Sequence, residues 1–113
     1  MEKCVFCKII KKELPVKVEY EDDEILAFPS NAPQALVHIL IIPKKHIKNM
    51  NELEESDSQL IGKLIIVGKK LAQEKKIDQT GYRLAFNVGP HAGQTVHHLH
   101  LHLLGGEPLD KSG

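Results

Sequence analysis

The chain has 113 residues, which is long enough to bury one hydrophobic core and too short for two, so we predict a single domain over residues 1–113. Fifteen basic residues balance fifteen acidic ones, which excludes a net field that would attract nucleic acid or an anionic membrane. Aromatic residues make up only 4% of the chain and Arg83 is its one arginine, so base stacking and bidentate phosphate recognition are also disfavoured.

The N-terminus begins with a pair of cysteines, Cys4 and Cys7, in a Cys-x-x-Cys spacing. A short apolar turn or helix follows and ends before Pro15. A redox pair would need a strand in front of the motif, and only three residues precede Cys4. An inert buried pair and a zinc half-site remain, and the many histidines favour zinc. Neither a signal peptide nor an apolar run of about eighteen residues is present, which predicts a cytoplasmic protein.

Three strand patterns come before the middle of the chain. Residues 16–21 alternate between apolar and polar side chains, which predicts a strand. After an Asp-Asp turn, residues 24–28 are predicted as a second strand. Residues 37–42 form a nearly continuous apolar run, which is typical of a central strand. His38 lies within that run. Alone it would be a packed core residue, but beside a histidine-rich strand it becomes a candidate site residue.

One long helical pattern follows, with Ser56 predicted as its N-cap and Gln59 completing a capping box. Two adjacent apolar rows have the helical spacing: Leu60, Leu64, Val67 and Leu71, then Ile61, Ile65, Gly68 and Ala72. Ile66 widens this apolar stripe. We therefore expect the helix to contact a partner subunit as well as its own sheet.

The C-terminal third carries the densest chemistry. A strand over residues 82–87 leads through a glycine-containing loop, residues 89–95, of the kind that can direct backbone N–H groups at an anion. Next, His98, His100 and His102 alternate with three leucines. A period of two predicts a strand with imidazoles on one face and leucines on the other.

A zinc site made of all three histidines would be strained, because the outer two lie about 13 Å apart along a strand. At least one imidazole should therefore remain for catalysis. Together these elements predict an α+β fold: a five-stranded antiparallel sheet with one long helix and a short N-terminal helix.

The sequence over residues 98–104, His-Leu-His-Leu-His-Leu-Leu, resembles the signature of the histidine-triad (HIT) superfamily. Residues 93–96, Gly-Gln-Thr-Val, are similar to the segment that precedes it in that family. Residues 4–10, 38–47 and 103–106 resemble the Hint branch, the purine nucleoside phosphoramidases. The resemblance covers essentially the whole chain. It implies a HIT-like homodimer, with two sheets joined across the subunits and one purine nucleotide site in each.

The resemblance also implies that the protein is a nucleotide-binding hydrolase. Such an enzyme cleaves nucleoside phosphoramidates through a covalent nucleotidyl-histidine, with no metal required for the chemistry. His100 is implied as the nucleophile, and the catalytic set is completed by His102, His38 and Thr95. The implied substrate-binding residues are Phe28, Ser30, Asn31, Asn87, Gly93, Gln94, Thr95, His100 and His102.

For the cysteines, the resemblance implies a closed structural zinc site formed by Cys4, Cys7, His46 and His98. Two other functions stay open. One is a dinucleoside polyphosphate hydrolase of the Fhit type, and the other is a non-catalytic nucleotide- or zinc-binding regulator. The chain also departs from the family, because Ser30 replaces the usual ribose-binding Asp and residues 107–111 lack the tryptophan of animal Hint proteins.

Overall fold

The computed structural model describes residues 4–110 and has the predicted α+β architecture. Its helices and strands are α1 (Val5–Ile10), β1 (Tyr20–Glu21), β2 (Ile25–Pro29), β3 (Val37–Pro43), α2 (Ser58–Glu74), β4 (Tyr82–Phe86) and β5 (Leu101–Gly105). The five strands form one antiparallel sheet in the order β1-β2-β3-β5-β4. Within residues 4–110, no helix is long and apolar enough to cross a membrane.

Each face of the sheet covers a separate apolar cluster. Helix α2 packs on one face, where Leu64, Val67 and Leu71 meet Ile41 and Leu101. Helix α1 packs on the other face, where the buried residues are Phe6, Ile9, Leu26, Phe28, Leu40 and Ile42. Strand β3 contributes to both clusters because successive side chains point to opposite faces. The two clusters explain the continuous apolar run of β3.

Helix α2 begins at Ser58 with Asp57 as its N-cap, one residue later than predicted from an N-cap at Ser56. A 3₁₀ turn, Glu55–Asp57, precedes it, and the capping box joins Glu54 to Asp57 instead of Ser56 to Gln59. Asp57 is buried and accepts hydrogen bonds from the Glu54 N–H and from Lys45 Nζ. Asp57 is also the N-cap of α2, but its carboxylate makes no hydrogen bond to an N–H of that helix, so it fixes the preceding 3₁₀ turn.

The predicted apolar rows of α2 are only partly buried. Leu64, Val67 and Leu71 lie in the core, while Ile65 and Ile66 are 42% and 50% exposed. At Gly68 the helix comes so close to the sheet that an added Cβ would lie 2.9 Å from Leu84 Cδ2. The helix thus has one face against the sheet and an unpartnered apolar strip beside it.

Two predicted strands are shorter in the structure. Of the predicted strand 16–21, Tyr20–Glu21 forms β1 and the Glu19 N–H also donates to Ala27 of β2, while Val16 packs against the α1 cluster. Strand β5 begins at Leu101, after two of the three histidines. The segment before it leaves the sheet because the Leu99 N–H donates to the Ile47 carbonyl. The predicted separation of faces is confirmed, since Leu99, Leu101 and Leu103 all lie in the α2 core.

Candidate active site and metal cluster

A cavity of about 390 Å³ opens on the α1 side of the sheet. One wall is apolar and comes from α1 and from strands β2 and β3. The other wall is polar and comes from histidines and from the loop that precedes β5. The cavity brings together most of the predicted site residues, namely Phe28, Ser30, Asn31, His38, Asn87, Gly93, Thr95, His100 and His102.

His100 is held in one tautomer by a backbone contact. Its Nδ1 lies 2.7 Å from the carbonyl oxygen of His98, which can only accept, so Nδ1–H donates. Nε2 then keeps its lone pair. Burial lowers the pKa of His100, against the opposing effect of the His98 carbonyl, so the ring stays neutral near neutral pH. A neutral, oriented imidazole on a cavity wall has the properties of a nucleophile.

His38 and His102 form a second hydrogen-bonded chain. The Gln34 N–H donates to His38 Nδ1 at 3.0 Å, so a neutral His38 carries its proton on Nε2 and donates it to His102 Nδ1 at 2.9 Å. His102 must then carry its own proton on Nε2. Within residues 4–110 that nitrogen is the one buried side-chain polar atom without a hydrogen-bond partner.

The surroundings of His38 and His102 favour the neutral form of both imidazole rings. Burial, followed by the nearby His100 and His38, lowers the pKa of His102 to about 4, and burial lowers the pKa of His38. A buried donor without a partner costs free energy, and such groups in native proteins mark ligand positions. His100, with a lone pair on Nε2, and His102, with an Nε2–H that has no partner, therefore both line the cavity. The two rings are 4.8 Å apart between centroids.

Gln94 is the predicted site residue that does not line the cavity. It is buried, and its Oε1 accepts from the Gly89 N–H, while its Nε2 donates to the carbonyls of Lys48 and Val96. These contacts hold the loop that carries Gly93 and Thr95. Gln94 thus shapes the cavity wall from behind.

The apolar wall of the cavity is the part that sequence reasoning missed. It is formed mainly by Val5, Phe6, Ile9, Val16 and Leu40. The signal was the apolar spacing of α1 directly after Cys4, which was interpreted only in terms of the cysteines. The supporting carbonyl of His98 and the N–H of Gln34 are backbone groups, so no residue type points to them.

The second set of predicted residues forms a compact cluster. One donor atom from each of Cys4, Cys7, His46 and His98 lies within 4.8 Å of the others. The measured sulfur–nitrogen distances are 3.3, 3.4 and 3.7 Å. A tetrahedral zinc ion with ordinary Zn–S and Zn–N bonds needs about 3.5 Å between sulfur and nitrogen. The four residues fit such an ion.

The surroundings of the cluster also favour a metal. His98 is fully buried, and its Nε2–H donates to the Pro43 carbonyl at 2.8 Å, which leaves the Nδ1 lone pair directed into the cluster. Burial lowers the pKa of His98 to about 4, so the ring is neutral, as a ligand must be. Burial raises the pKa of the Cys7 thiol, and a bound cation would supply the charge that a thiolate needs there.

The family model described as "Scavenger mRNA decapping enzyme C-term binding" matches residues 3–110. A purine nucleoside phosphoramidase from Escherichia coli is 44% identical over 108 residues, which are 96% of this chain and 91% of that protein.

Solved structures match with similar sequence identity and over a similar share of the chain. A HIT family hydrolase from Legionella pneumophila superposes with a TM-score of 0.95 at 49% identity, covering 97% of this chain and 98% of that one. A HIT family hydrolase from Clostridium thermocellum gives a TM-score of 0.95 at 48% identity, with coverage of 99% and 97%. The similarity thus includes both sequence and fold along almost the whole length.

Proposed function

The chain belongs to the histidine-triad superfamily, and from that premise we propose that it is a nucleotide hydrolase acting on nucleoside phosphoramidates. The observation that carries this proposal is the pairing of His100 with the unpartnered Nε2–H of His102 on one cavity wall. The former can attack a phosphorus atom. The latter can donate to the oxygen that gains charge as the attack proceeds.

In the first step, the Nε2 lone pair of His100 attacks the phosphorus of the substrate. A phosphorus–nitrogen bond to His100 forms as the phosphorus–nitrogen bond to the amine breaks. The leaving amine takes up one proton from solvent, for which we propose the Thr95 hydroxyl on the cavity wall as the relay, and the water that attacks in the second step gives one proton back to solvent. Water then attacks the nucleotidyl-His100 intermediate and releases the nucleoside monophosphate and the free imidazole.

The negative charge on the phosphoryl oxygens is stabilised by a donor whose direction is fixed beforehand. The Gln34 N–H sets the tautomer of His38, and His38 sets that of His102, so His102 presents a proton without reorganisation. This arrangement handles phosphate without arginine, in keeping with the single arginine of the chain.

The nucleoside would occupy the apolar end of the cavity, where Phe6, Ile9 and Phe28 offer a surface for a purine ring. Ser30 can still hydrogen-bond to the ribose although its side chain is uncharged. Its Oγ accepts from the Ala32 N–H at 3.1 Å, which leaves its hydroxyl proton for a ribose oxygen. Asn31 and Asn87 line the same cavity and add amide groups.

We propose zinc as the ion of the four-residue cluster, with a structural role. Two thiols and two imidazole nitrogens form a donor set that zinc favours, and all four protein positions are filled, so none is left open for a substrate. Cys4 and Cys7 belong to the proposed metal cluster rather than to a disulfide, which suits a reducing compartment and supports the cytoplasm as the proposed location.

We propose that two copies of the chain pair through helix α2. The support is the apolar strip containing Ile65 and Ile66, which are 42% and 50% exposed beside the core-facing side of the helix. Sedimentation at micromolar concentration should then give twice the chain mass. A monomer at that concentration would contradict the pairing.

The proposed activity is tested with adenosine 5′-phosphoramidate, by measuring release of ammonia and adenosine monophosphate. Wild-type protein should turn the substrate over, and His100→Ala should not. The matched control is His97→Ala, which removes an exposed neighbouring imidazole that lines neither the cavity nor the cluster. Unchanged turnover in His100→Ala, or equal loss in both variants, would refute the proposal.

A further inference from the structure

Helix α1 belongs to both sites at once. Cys4 is its N-cap and Cys7 lies in its first turn, and both contribute to the metal cluster. Val5, Phe6 and Ile9 of the same helix line the cavity. A helix of six residues has little stability of its own, so its position depends on its attachments. The metal cluster is one attachment, and the apolar cluster around Phe6 and Ile9 is the other.

The Phe6 ring stands between the two groups of histidines. It contacts the metal-cluster residue His98 edge-on, with the ring centroids 5.9 Å apart. It contacts the proposed nucleophile His100 in the same way at 5.3 Å, and Phe28 of the cavity wall at 5.5 Å. Phe6 is only 6% exposed, so a shift of α1 would move all three contacts.

His98 links the same two groups through its backbone. Its ring belongs to the cluster, while its carbonyl oxygen accepts the Nδ1–H of His100. The His100 ring is therefore contacted by the His98 carbonyl, which belongs to a cluster residue, and by Phe6, which lies on the helix that carries Cys4 and Cys7. Any change in the cluster that displaces α1 must also disturb the apolar end of the cavity, where Phe6 forms part of the wall.

We propose that occupancy of the Cys4–Cys7–His46–His98 cluster and nucleotide binding in the cavity are coupled, and that Phe6 is the residue that couples them. This rests on the proposed function, since it takes the cavity to be a nucleotide site. The bound ion fixes α1 and thereby the apolar wall, so the ion-free protein has a less ordered pocket. Such coupling is reciprocal, so a nucleotide must tighten ion binding by the same factor by which the ion tightens nucleotide binding.

The test is a zinc titration of the ion-free protein against a chromophoric chelator, with and without saturating adenosine monophosphate. We expect the nucleotide to lower the zinc dissociation constant about fivefold or more. Calorimetric titration of adenosine monophosphate into ion-free and zinc-loaded protein should give the same factor. Equal zinc affinities in the two conditions would overturn the coupling while leaving the proposed function intact.

Two variants of α1 then locate the coupling. Phe6→Leu keeps an apolar side chain in the core but removes the ring contacts with His98 and His100, so the coupling factor should fall toward one. The matched control is Val5→Ala, a truncation on the same cavity wall without ring contacts, which should keep the factor. An unchanged factor in Phe6→Leu would overturn the role of Phe6.

Two further outcomes separate this inference from the proposed function. If adenosine monophosphate fails to bind even to the zinc-loaded protein, the proposed nucleotide site is wrong and the coupling falls with it. If the protein binds nucleotide but no zinc, the coupling is overturned and the hydrolase proposal stands. Both are visible by binding alone, without a turnover assay.

Discussion

The two histidine groups use the same side chain for opposite purposes. In the metal cluster, Nδ1 atoms of His46 and His98 lie 3.3–3.7 Å from cysteine sulfurs. In the cavity, His38 and His102 are joined to each other by a nitrogen–nitrogen hydrogen bond of 2.9 Å. The first arrangement gathers lone pairs around one point. The second aligns protons toward the cavity.

The two groups differ because His98 and His100 donate hydrogen bonds to backbone carbonyls through different ring nitrogens. The Pro43 carbonyl binds Nε2–H of His98, which directs the Nδ1 lone pair of that ring to the cluster. The His98 carbonyl binds Nδ1–H of His100, which frees Nε2 instead. Tautomer choice by a nearby carbonyl thus decides that His98 directs a lone pair into the cluster and that His100 keeps its lone pair on Nε2. Alternating positions along one segment acquire different chemistry in this way.

Among the substitutions that test this difference between the two histidine groups, we expect the largest effect on turnover at His102. His102→Phe keeps a ring but removes the free N–H, so turnover of adenosine phosphoramidate should fall about 100- to 1,000-fold. His102→Gln, whose amide can still donate, should lose less. Zinc content should be unchanged in both variants, because His102 is outside the cluster. Equal turnover in the Phe variant and in wild type would contradict the proposed role.

The next effect is on stability and comes from the metal cluster. Zinc at about 100 times its dissociation constant should stabilise the folded protein by about 2.7 kcal/mol. For a domain of this size that raises Tm by roughly 10 °C. Cys7→Ser removes one ligand, so scanning calorimetry of this variant should show no zinc-dependent rise, whereas His97→Ala should keep it. A full zinc-dependent rise in Cys7→Ser would contradict the cluster assignment.

The smallest effect is a difference in pH dependence. The pKa of His102 is about 4 in the folded protein, below its ordinary 6.5. Between these values the unfolded chain takes up a proton that the folded protein does not, so stability falls as pH falls through this range. Above pH 6.5 the group contributes no slope.

Urea unfolding at pH 7 and pH 5, at equal zinc concentration, measures this difference. Wild-type protein should lose more stability between the two pH values than His102→Gln, which cannot titrate at that position. The comparison cancels the contributions of the histidines that do not contact His102, while His38 and His100 do contact it. Parallel losses in the two proteins would mean that His102 is not held neutral by its burial.

Much of the fold and many of the site residues can be predicted from the sequence, because local periodicity and side-chain chemistry determine them. The alternation of Leu99, Leu101 and Leu103 located the core face, and the five antiparallel strands, the long helix and the family are confirmed. The shortened β5 was missed because its cause is tertiary: the Leu99 N–H is taken by the Ile47 carbonyl, far away in sequence.

The same limit applies to the site. Residue types pointed to His38, His100 and His102, but the tautomer of each depends on a carbonyl or N–H that no side-chain pattern encodes. Gln94 is among the substrate-binding residues that the resemblance implies, and it lies behind the loop because both ends of its amide find backbone partners. The role of α1 in the apolar wall likewise emerges only from packing.

Attack of His100 on phosphorus is tested most directly by mass spectrometry of protein quenched during turnover of adenosine 5′-phosphoramidate. We expect an adenosine monophosphoryl group on the side chain of His100, located by fragmentation of the peptide that also carries His97 and His102, and no such group in His100→Ala. An adduct on His97 or His102, or a burst of ammonia release with no adduct on the protein, would contradict it.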